Sequence, residues 1–434
     1  MVIRGEDRAS QSEIRRRNLS MMLRELHVGA PLSRSELATR LCLNRSTVGS
    51  LVADLASRGL VWERGREKAL VRPLPGRPSP LVGLRRDGPG ALAIDLSTDW
   101  IGVAVIGLGG SVIASRRRDH PLAQTKPEDI VDEMYGLARP MLTGLANGPY
   151  VVAIGVSIPG AVRAEDGHLH HAPYLGWRDV PIGSLIRARF ADLAVPVFVG
   201  NDADLAASAE HLRGSGRGAS DFICLWGEGG IGAGFVVGGR SLAGAAGYAG
   251  EVGHITVDPN GELCHCGARG CWEAEVGEEA LLRRSGRDPL GGTAAVADLL
   301  AAADRGDKRA LSALAEWGRW LGIGIAGLVN VFNPTRVALG GLYGRLYPYV
   351  RETVVGELAS RAMPAPRAMV ELMTALLGSE ALLLGAAELA LAPTLYDPTI
   401  IPIVDDPAPA VGRRRSKHAP ANERMASAAE AARR

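Results

Sequence analysis

Four prolines in nine residues, Arg72-Pro73-Leu74-Pro75-Gly76-Arg77-Pro78-Ser79-Pro80, constrain this 434-residue chain more than any other feature. Proline lacks an amide hydrogen and fixes φ, so neither a helix nor an inner strand runs through such a stretch. The chain divides there. Residues 1–75 carry apolar side chains at helical spacing. From Ala91 onward, short apolar runs alternate with helical stretches and Gly-rich turns, an α/β pattern. Strands are expected near 91–96, 101–108, 151–156, 195–199 and 222–225. Helices are expected near 127–145 and 204–212, and long buried ones at 294–331 and 379–391. The reading is a head at 1–75, a linker at 76–90 and a body at 91–400. Residues 403–434, rich in Pro, Ala, Arg and Ser, read as a disordered tail.

Charge separates the same segments. The net charge is +2, yet residues 1–90 hold 17 Lys+Arg against 9 Asp+Glu, a net +8. The tail from 402 holds 7 against 4, which leaves 91–401 at −9. A basic head on an acidic body suits a polyanionic partner for the head. No apolar run is long enough to span a bilayer, and the N-terminus lacks a signal-peptide core, so no membrane partner and a cytoplasmic location are expected. The five cysteines are Cys42, Cys224, Cys264, Cys266 and Cys271. An odd count with three clustered members fits a metal site better than a disulfide framework.

Three helices are expected in the head. The first, near 13–27, aligns Ile14, Leu19, Met22, Leu23 and Leu26. The second opens on the capping box Ser33-Arg34-Ser35-Glu36. Asn44 caps the third, whose buried stripe is Val48, Leu51, Val52 and Leu55, with Gly59 just past its end. That leaves Arg45, Ser46, Thr47 and Ser50 on an outer N-terminal face. Small side chains, hydroxyls and an arginine there suit a recognition helix in a DNA groove. Residues 60–63 and 69–72 read as a strand pair around a basic turn containing Arg64 and Arg66, a wing. The head is thus read as a winged helix-turn-helix for double-stranded DNA. Cys42, in the turn, reads as a small buried apolar residue.

Cys264-x-Cys266-x4-Cys271 supplies three thiolates, and His254 or His265 supplies an imidazole. Such a set suits a closed, tetrahedral, structural Zn2+ site. Gly267 and Gly270 allow the backbone to wrap the ion.

These features together resemble the ROK family (repressors, open reading frames, kinases), on its repressor side, similar to xylose, glucose and N-acetylglucosamine repressors. The resemblance rests on Ile14-Arg-Arg-Arg-Asn18-Leu, Ser33-Arg-Ser-Glu-Leu-Ala38, Gly76-Arg-Pro-Ser79, Ala172-Pro-Tyr-Leu-Gly-Trp177, Asn201-Asp202, Gly229-Gly-Ile-Gly-Ala-Gly234, Ala249-Gly-Glu-Val-Gly-His254, the cysteine block through Glu273, and Ala338-Leu-Gly-Gly341. It implies an actin-like, RNase H-like ATPase fold with two lobes, about 91–200 with the C-terminal helix and 201–378. It implies that His254, not His265, joins Cys264, Cys266 and Cys271 on the zinc and also contacts the sugar. It implies that Asn201, Asp202, Glu251, His254 and Glu273 bind a monosaccharide or sugar derivative, with Asp202 the relic of a kinase's general base. A palindromic operator implies a homodimer or homotetramer. Two departures stand out. Kinase members carry Asp-x-Gly-Gly-Thr where this chain has Asp95-Leu96-Ser97-Thr98-Asp99, so side chains and a carboxylate crowd the phosphate position. ATP binding and catalysis are therefore not expected, a sugar kinase being the competing reading. Tyr174 stands where Asn is usual, and Trp177 suits either a pocket wall or the core.

Overall fold

The computed structural model describes residues 10–64, 79–119, 125–145 and 150–403. In the head, α1 (Gln11–Val28) starts from Ser10, which forms a reciprocal capping box with Glu13. A two-residue strand β1 (Leu32–Ser33) leads into α2 (Arg34–Arg40), held by the Ser33–Glu36 box. The Asn44 side chain accepts the Thr47 amide at 2.8 Å and opens α3 (Arg45–Ser57). Leu19, Met22, Leu23, Leu26, Leu37, Val48, Leu51, Val52 and Leu55 form the buried core. Ile14 does not join them and is half exposed, because α1 overshoots the small core it covers. Cys42 is also exposed, contrary to expectation. It takes the left-handed corner between α2 and α3 at φ +52°, which turns its side chain outward.

Strand β2 (Val61–Arg64) pairs antiparallel with β3 (Leu81–Leu84), Val61 opposite Leu84 and Arg64 opposite Leu81. β3 also pairs with β1 and is the central strand of three. Residues read as linker thus complete the head's sheet. The reason is burial: Val82 is fully enclosed, and Gly83 lets the Trp62 ring lie flat against the strand. The expected strand at 69–72, residue Arg66 and the tail from 404 lie outside the described residues.

The body holds two five-stranded sheets of the same order. The first contains β4 (Pro89–Leu96), β5 (Trp100–Gly107) and β6 (Val112–Asp119) as an antiparallel meander. After α4 (Pro127–Gly144), β7 (Tyr150–Ile158) joins parallel to β4. A small antiparallel sheet of β8 (Ala161–Val162), β9 (Leu169–Ala172) and β10 (Trp177–Val180) follows, then α5 (Ile182–Arg189). β11 (Val197–Asn201) closes the first sheet, and α6 (Asp202–Arg213) crosses to the second. There β12 (Phe222–Trp226), β13 (Gly232–Val237) and β14 (Arg240–Ser241) repeat the meander. α7 (Trp272–Val276), α8 (Glu278–Ser285), α9 (Gly292–Asp304) and α10 (Lys308–Phe332) intervene. β15 (Arg336–Leu339), α11 (Gly341–Arg361), α12 (Pro364–Met369) and β16 (Glu371–Thr374) complete the second sheet. Counted within each sheet, the spatial order is 3-2-1-4-5 twice. Trp177 belongs to the core of the first sheet, its indole donating to the Thr125 carbonyl at 2.8 Å, and does not wall a pocket. No helix among the described residues is long and apolar enough to cross a membrane.

Helix α13 (Glu380–Tyr396) returns to lie against β4, β7 and α6. It fits because Gly155 and Gly385 lack side chains: a Cβ would come within 1.9 Å of the Ala386 carbonyl at the first and 2.1 Å of the Leu205 carbonyl at the second. The same helix carries the head. Ser20 of α1 donates to the Leu395 carbonyl at 2.7 Å, and Arg58 donates to the Ile401 carbonyl at 2.5 Å. Between them, His27 Nε2 lies 2.8 Å from Glu388, and Arg213 of α6 donates to Glu388 at 3.0 Å and to the carbonyls of His27 and Gly109. The Gly109 amide donates to His27 Nδ1, which leaves Nε2 to donate to the carboxylate. Burial alone would raise the Glu388 carboxyl, but His27 and Arg213 outweigh it and hold it at about 2.

Glu388→Gln should therefore loosen the head from the body. Removing one charge from a buried pair costs about 3–5 kcal/mol. A carboxyl held below its unfolded value, about 4.3, contributes stability that is present above that value and lost as the pH falls toward about 2. Urea unfolding should show the full deficit near neutrality and a much smaller one near about pH 3. Equal deficits at both would count against an ionised Glu388 at this seam.

Candidate functional site

The parallel strands of both sheets end at one cleft, the usual ligand position in open α/β folds. Asp95 closes β4, Asn201 and Asp202 join β11 to α6, and Trp226 closes β12. From the second sheet's side come Glu251, the short turn Val252–His254 and Glu273 in the first turn of α7. These groups surround a cavity of about 300 Å³. Asn201, Asp202, Glu251, His254 and Glu273 all line it, as do Tyr174, His171, Cys266 and Glu228.

Each side chain is held. The Asn201 side-chain oxygen accepts the amides of Ala203 and Asp204, and its amide donates to the Gly160 carbonyl at 3.0 Å. It is mainly a cap that fixes the start of α6, with one amide hydrogen left over. Glu273 is buried, and one of its oxygens accepts the Ile231 amide at 3.3 Å. Gly230 is needed there, since a Cβ would meet that carboxylate at 2.2 Å. The Tyr174 ring lies against Gly229 and Gly230 and meets His265 edge-on at 5.7 Å. Burial pushes its phenol well up.

The cleft is acidic. Burial, with Asp95, Glu251 and Glu228 nearby, pushes Asp202 up to about 7 against the pull of the Ala203 amide. Asp95 also rises to about 7, first through burial, despite the Trp100 indole donating to it at 2.9 Å. Asp204 reaches about 8 through burial, Asp202 and Glu251. A second cavity of about 480 Å³ adjoins, sharing Trp226, Glu228 and Leu382, and is lined by Asp99 and Arg345. There Glu228 pairs with Arg345 at 2.9 Å, and burial and Asp99 raise its carboxyl. Arg117 lines the same cavity, so its wall carries both signs of charge.

His254, Cys264, Cys266 and Cys271 each bring one donor atom within 4.8 Å of the others. Cys264 Sγ lies 3.7 Å from His254 Nδ1, and Cys266 Sγ lies 3.6 Å from Cys271 Sγ. Tetrahedral bonds of about 2.3 Å to sulfur imply sulfur separations of about 3.8 Å, so the four residues fit a metal ion. Burial pushes the thiols of Cys264 and Cys271 up, and a dication held there would supply the charge that keeps them as thiolates. His265 is not in the cluster and faces Glu279 at 3.7 Å. His254 lies between the cysteines and the cavity: Nδ1 faces the cysteines, while Nε2 faces Glu251 at 3.9 Å.

On the head, Arg45, Ser46 and Ser50 are exposed at the start of α3, Thr47 is half-buried, and Arg64 lies exposed beside Trp62. The Ser46 hydroxyl donates to Asn44, and Ser50 accepts from Arg15 of α1 at 3.0 Å. Arg15 is an added cation beside this face that sequence reasoning missed. His171 was missed in the cavity, although it directly precedes the Ala172–Trp177 motif.

Asp202 yields a pH prediction. A carboxyl raised above its unfolded value holds a proton in the folded state that the unfolded chain releases. Its penalty is absent below about pH 4 and grows as the pH rises toward about 7. Asp202→Asn should therefore raise the melting stability by about 1 kcal/mol at about pH 8, after discounting for water in the cavity. It should do little at about pH 4. Thermal melts at both values check this, and a variant less stable at the higher pH than at the lower one, relative to wild type, would contradict it.

Comparison with known proteins places the chain. The ROK family profile matches residues 91–392. A xylose repressor from Bacillus spizizenii is 30% identical over 384 residues, covering 88% of this chain and 97% of that protein. A match of that length does not fit into residues 91–434 and so reaches into the head. A glucokinase from Streptomyces coelicolor is 30% identical over 320 residues, 70% of this chain and 98% of the kinase. The crystal structure of a ROK family transcriptional regulator, a homologue of the Escherichia coli MLC protein, superposes with a TM-score of 0.72 at 26% identity, covering 88% of this chain and 97% of the other. With the repeated sheet order and the Cys/His cluster beside the cleft, these matches establish that the chain belongs to the ROK family.

Proposed function

We propose that the chain is a sugar-responsive transcription regulator, acting as a repressor of carbohydrate genes in the cytoplasm. One observation carries this reading: a head with a polar, arginine-bearing helix end is joined by the buried His27–Glu388–Arg213 network to the lobe that shapes an acidic, sugar-sized cavity. The head is a winged helix-turn-helix. α3 enters the major groove of an operator, where Arg45 reads a base edge or phosphate and Ser46, Thr47 and Ser50 allow close approach. Arg64, exposed at the end of β2, belongs to the wing. A homodimer places two such helices on a palindromic site. The relatives named as a xylose repressor and as a regulator homologous to MLC support this reading.

The effector is a monosaccharide or a derivative. The cavity lies at the small end of ligand pockets, which run from about 300 to 1,000 Å³. Glu251, Glu273 and Asp202 accept hydroxyl hydrogens, and His254 Nε2 adds a donor or acceptor. Zn2+ held by His254, Cys264, Cys266 and Cys271 is structural: it fixes the turn that carries Glu251 and His254. All four positions are taken by protein, so it offers no open site for chemistry. A sugar gripped from both sheets favours the closed cleft, and the α13–α1 seam carries the change to the head.

The test is a mobility shift with the operator across a sugar titration. Glu251→Ala should bind DNA as wild type does but require about tenfold or more sugar to respond, since a lost hydrogen bond to a charged group costs about 1.5–3 kcal/mol. An unchanged response would place the effector elsewhere.

The glucokinase relative, and Asp202 with its proton affinity near neutrality, keep a sugar kinase as the second reading. Asp99 and Glu228 in the adjoining cavity oppose it by repelling phosphate. A coupled assay with ATP and the inducing sugar should stay at background. Turnover on the order of 1 per second or faster would make the chain an enzyme.

A further inference from the structure

Away from the cavity and the cysteine cluster, His168, His170 and Asp179 also converge, each with a donor atom within 4.8 Å of the others. Local structure brings them together. The two-residue period of an extended chain puts 168 and 170 on one side of β9. On β10, Arg178 pairs with His171 and Val180 with Leu169, so Asp179 stands opposite His170. Asp179 Oδ1 lies 3.3 Å from His170 Nδ1 and 3.8 Å from His168 Nε2. The two imidazole rings are 4.7 Å apart. Asp179 reaches this position from a left-handed backbone, φ +52°, that an aspartate adopts only at some cost.

An ordinary surface ion pair engages one imidazole with one carboxylate. Here two imidazoles meet the same oxygen, and if both were protonated they would repel each other. A single dication satisfies all three groups with both imidazoles neutral. Two histidines and a carboxylate are a common donor set for first-row transition ions. Ligand bonds of about 2.1 Å require donors about 3.0–3.5 Å apart, and the observed separations need only a small side-chain adjustment.

The geometry points to a second metal site, for a divalent first-row transition ion, held by His168, His170 and Asp179 with water completing the coordination. It differs in kind from the cysteine cluster. Its donors are nitrogen and oxygen, and Asp179 is 67% exposed, so the ion exchanges with solvent. Its place gives it a consequence. The next residue along β9, His171, lines the cavity, and the His170 ring meets the edge of Tyr248 at 5.7 Å on the loop that leads to Glu251. The ion therefore braces the hairpin and the facing loop where the two sheets' ligand-binding segments meet.

The test uses full-length protein without an affinity tag, dialysed against graded Zn2+, with bound metal measured by elemental analysis. Wild type should hold one equivalent that resists EDTA and a second that EDTA removes. His168→Ala and His170→Ala should lose the second and keep the first, with unchanged far-UV circular dichroism. Co2+ in the second site should absorb weakly, without the thiolate charge-transfer band that it gives in the cysteine cluster. Cys266→Ser should lose the first equivalent and keep the second; if that variant fails to fold, the two histidine variants decide. Wild type that never exceeds one equivalent, or a second equivalent that persists in both histidine variants, overturns the proposal.

Discussion

Glu388 is the point at which three parts of the molecule meet. Its carboxylate is buried on α13, the helix that rests on the first sheet, and it accepts from His27 of the head and Arg213 of α6. A buried charge without partners would cost several kcal/mol, so the three elements hold one arrangement or else give up the interaction together. α6 begins at Asp202, inside the cleft, and ends at Arg213, inside the seam. One twelve-residue helix thus joins the cleft to the Arg213–Glu388 ion pair at the seam.

The cleft is built on the opposite principle. Asp95, Asp202, Asp204, Glu228 and Glu251 stand close with few cations among them, and burial and mutual repulsion raise each one. Neutral carboxyls and carboxylates both hydrogen-bond to hydroxyl groups. The adjoining cavity mixes signs, with Asp99 and Glu228 beside Arg117 and Arg345. The cysteine cluster adjoins these acidic groups, and His254 and Glu273 each touch both the cluster and the cavity wall.

Much of this could be read from the sequence because it is local. Both capping features, Ser33–Glu36 and Asn44, depend on neighbours three residues away. The cysteine cluster spans eight residues and needs only His254 from nearby. The five cavity residues named in advance lie on turns whose motifs are short, and the structure brings all five to one cavity. Failures came where a residue's fate depends on what packs against it. Ile14 follows the helical stripe yet is half exposed, and Cys42 is apolar yet sits on an outward corner; Trp177, open between pocket and core in the sequence, is drawn into the first sheet's core.

The sequence by itself determined the α/β class of the body, the basic head, the clustering of the three cysteines and the family. Local hydrogen bonding, hydrophobic period and ligand spacing act over a few residues and leave a direct trace in their order. Only the tertiary structure decided that β3, beyond the prolines, is the central strand of the head's sheet. It also decided that both body sheets share one order, and that His27 meets Glu388 across 361 positions. Such pairings are selected by the burial of a whole face and by the neutralisation of buried charge. Those energies belong to the assembled core and have no period or spacing along the chain.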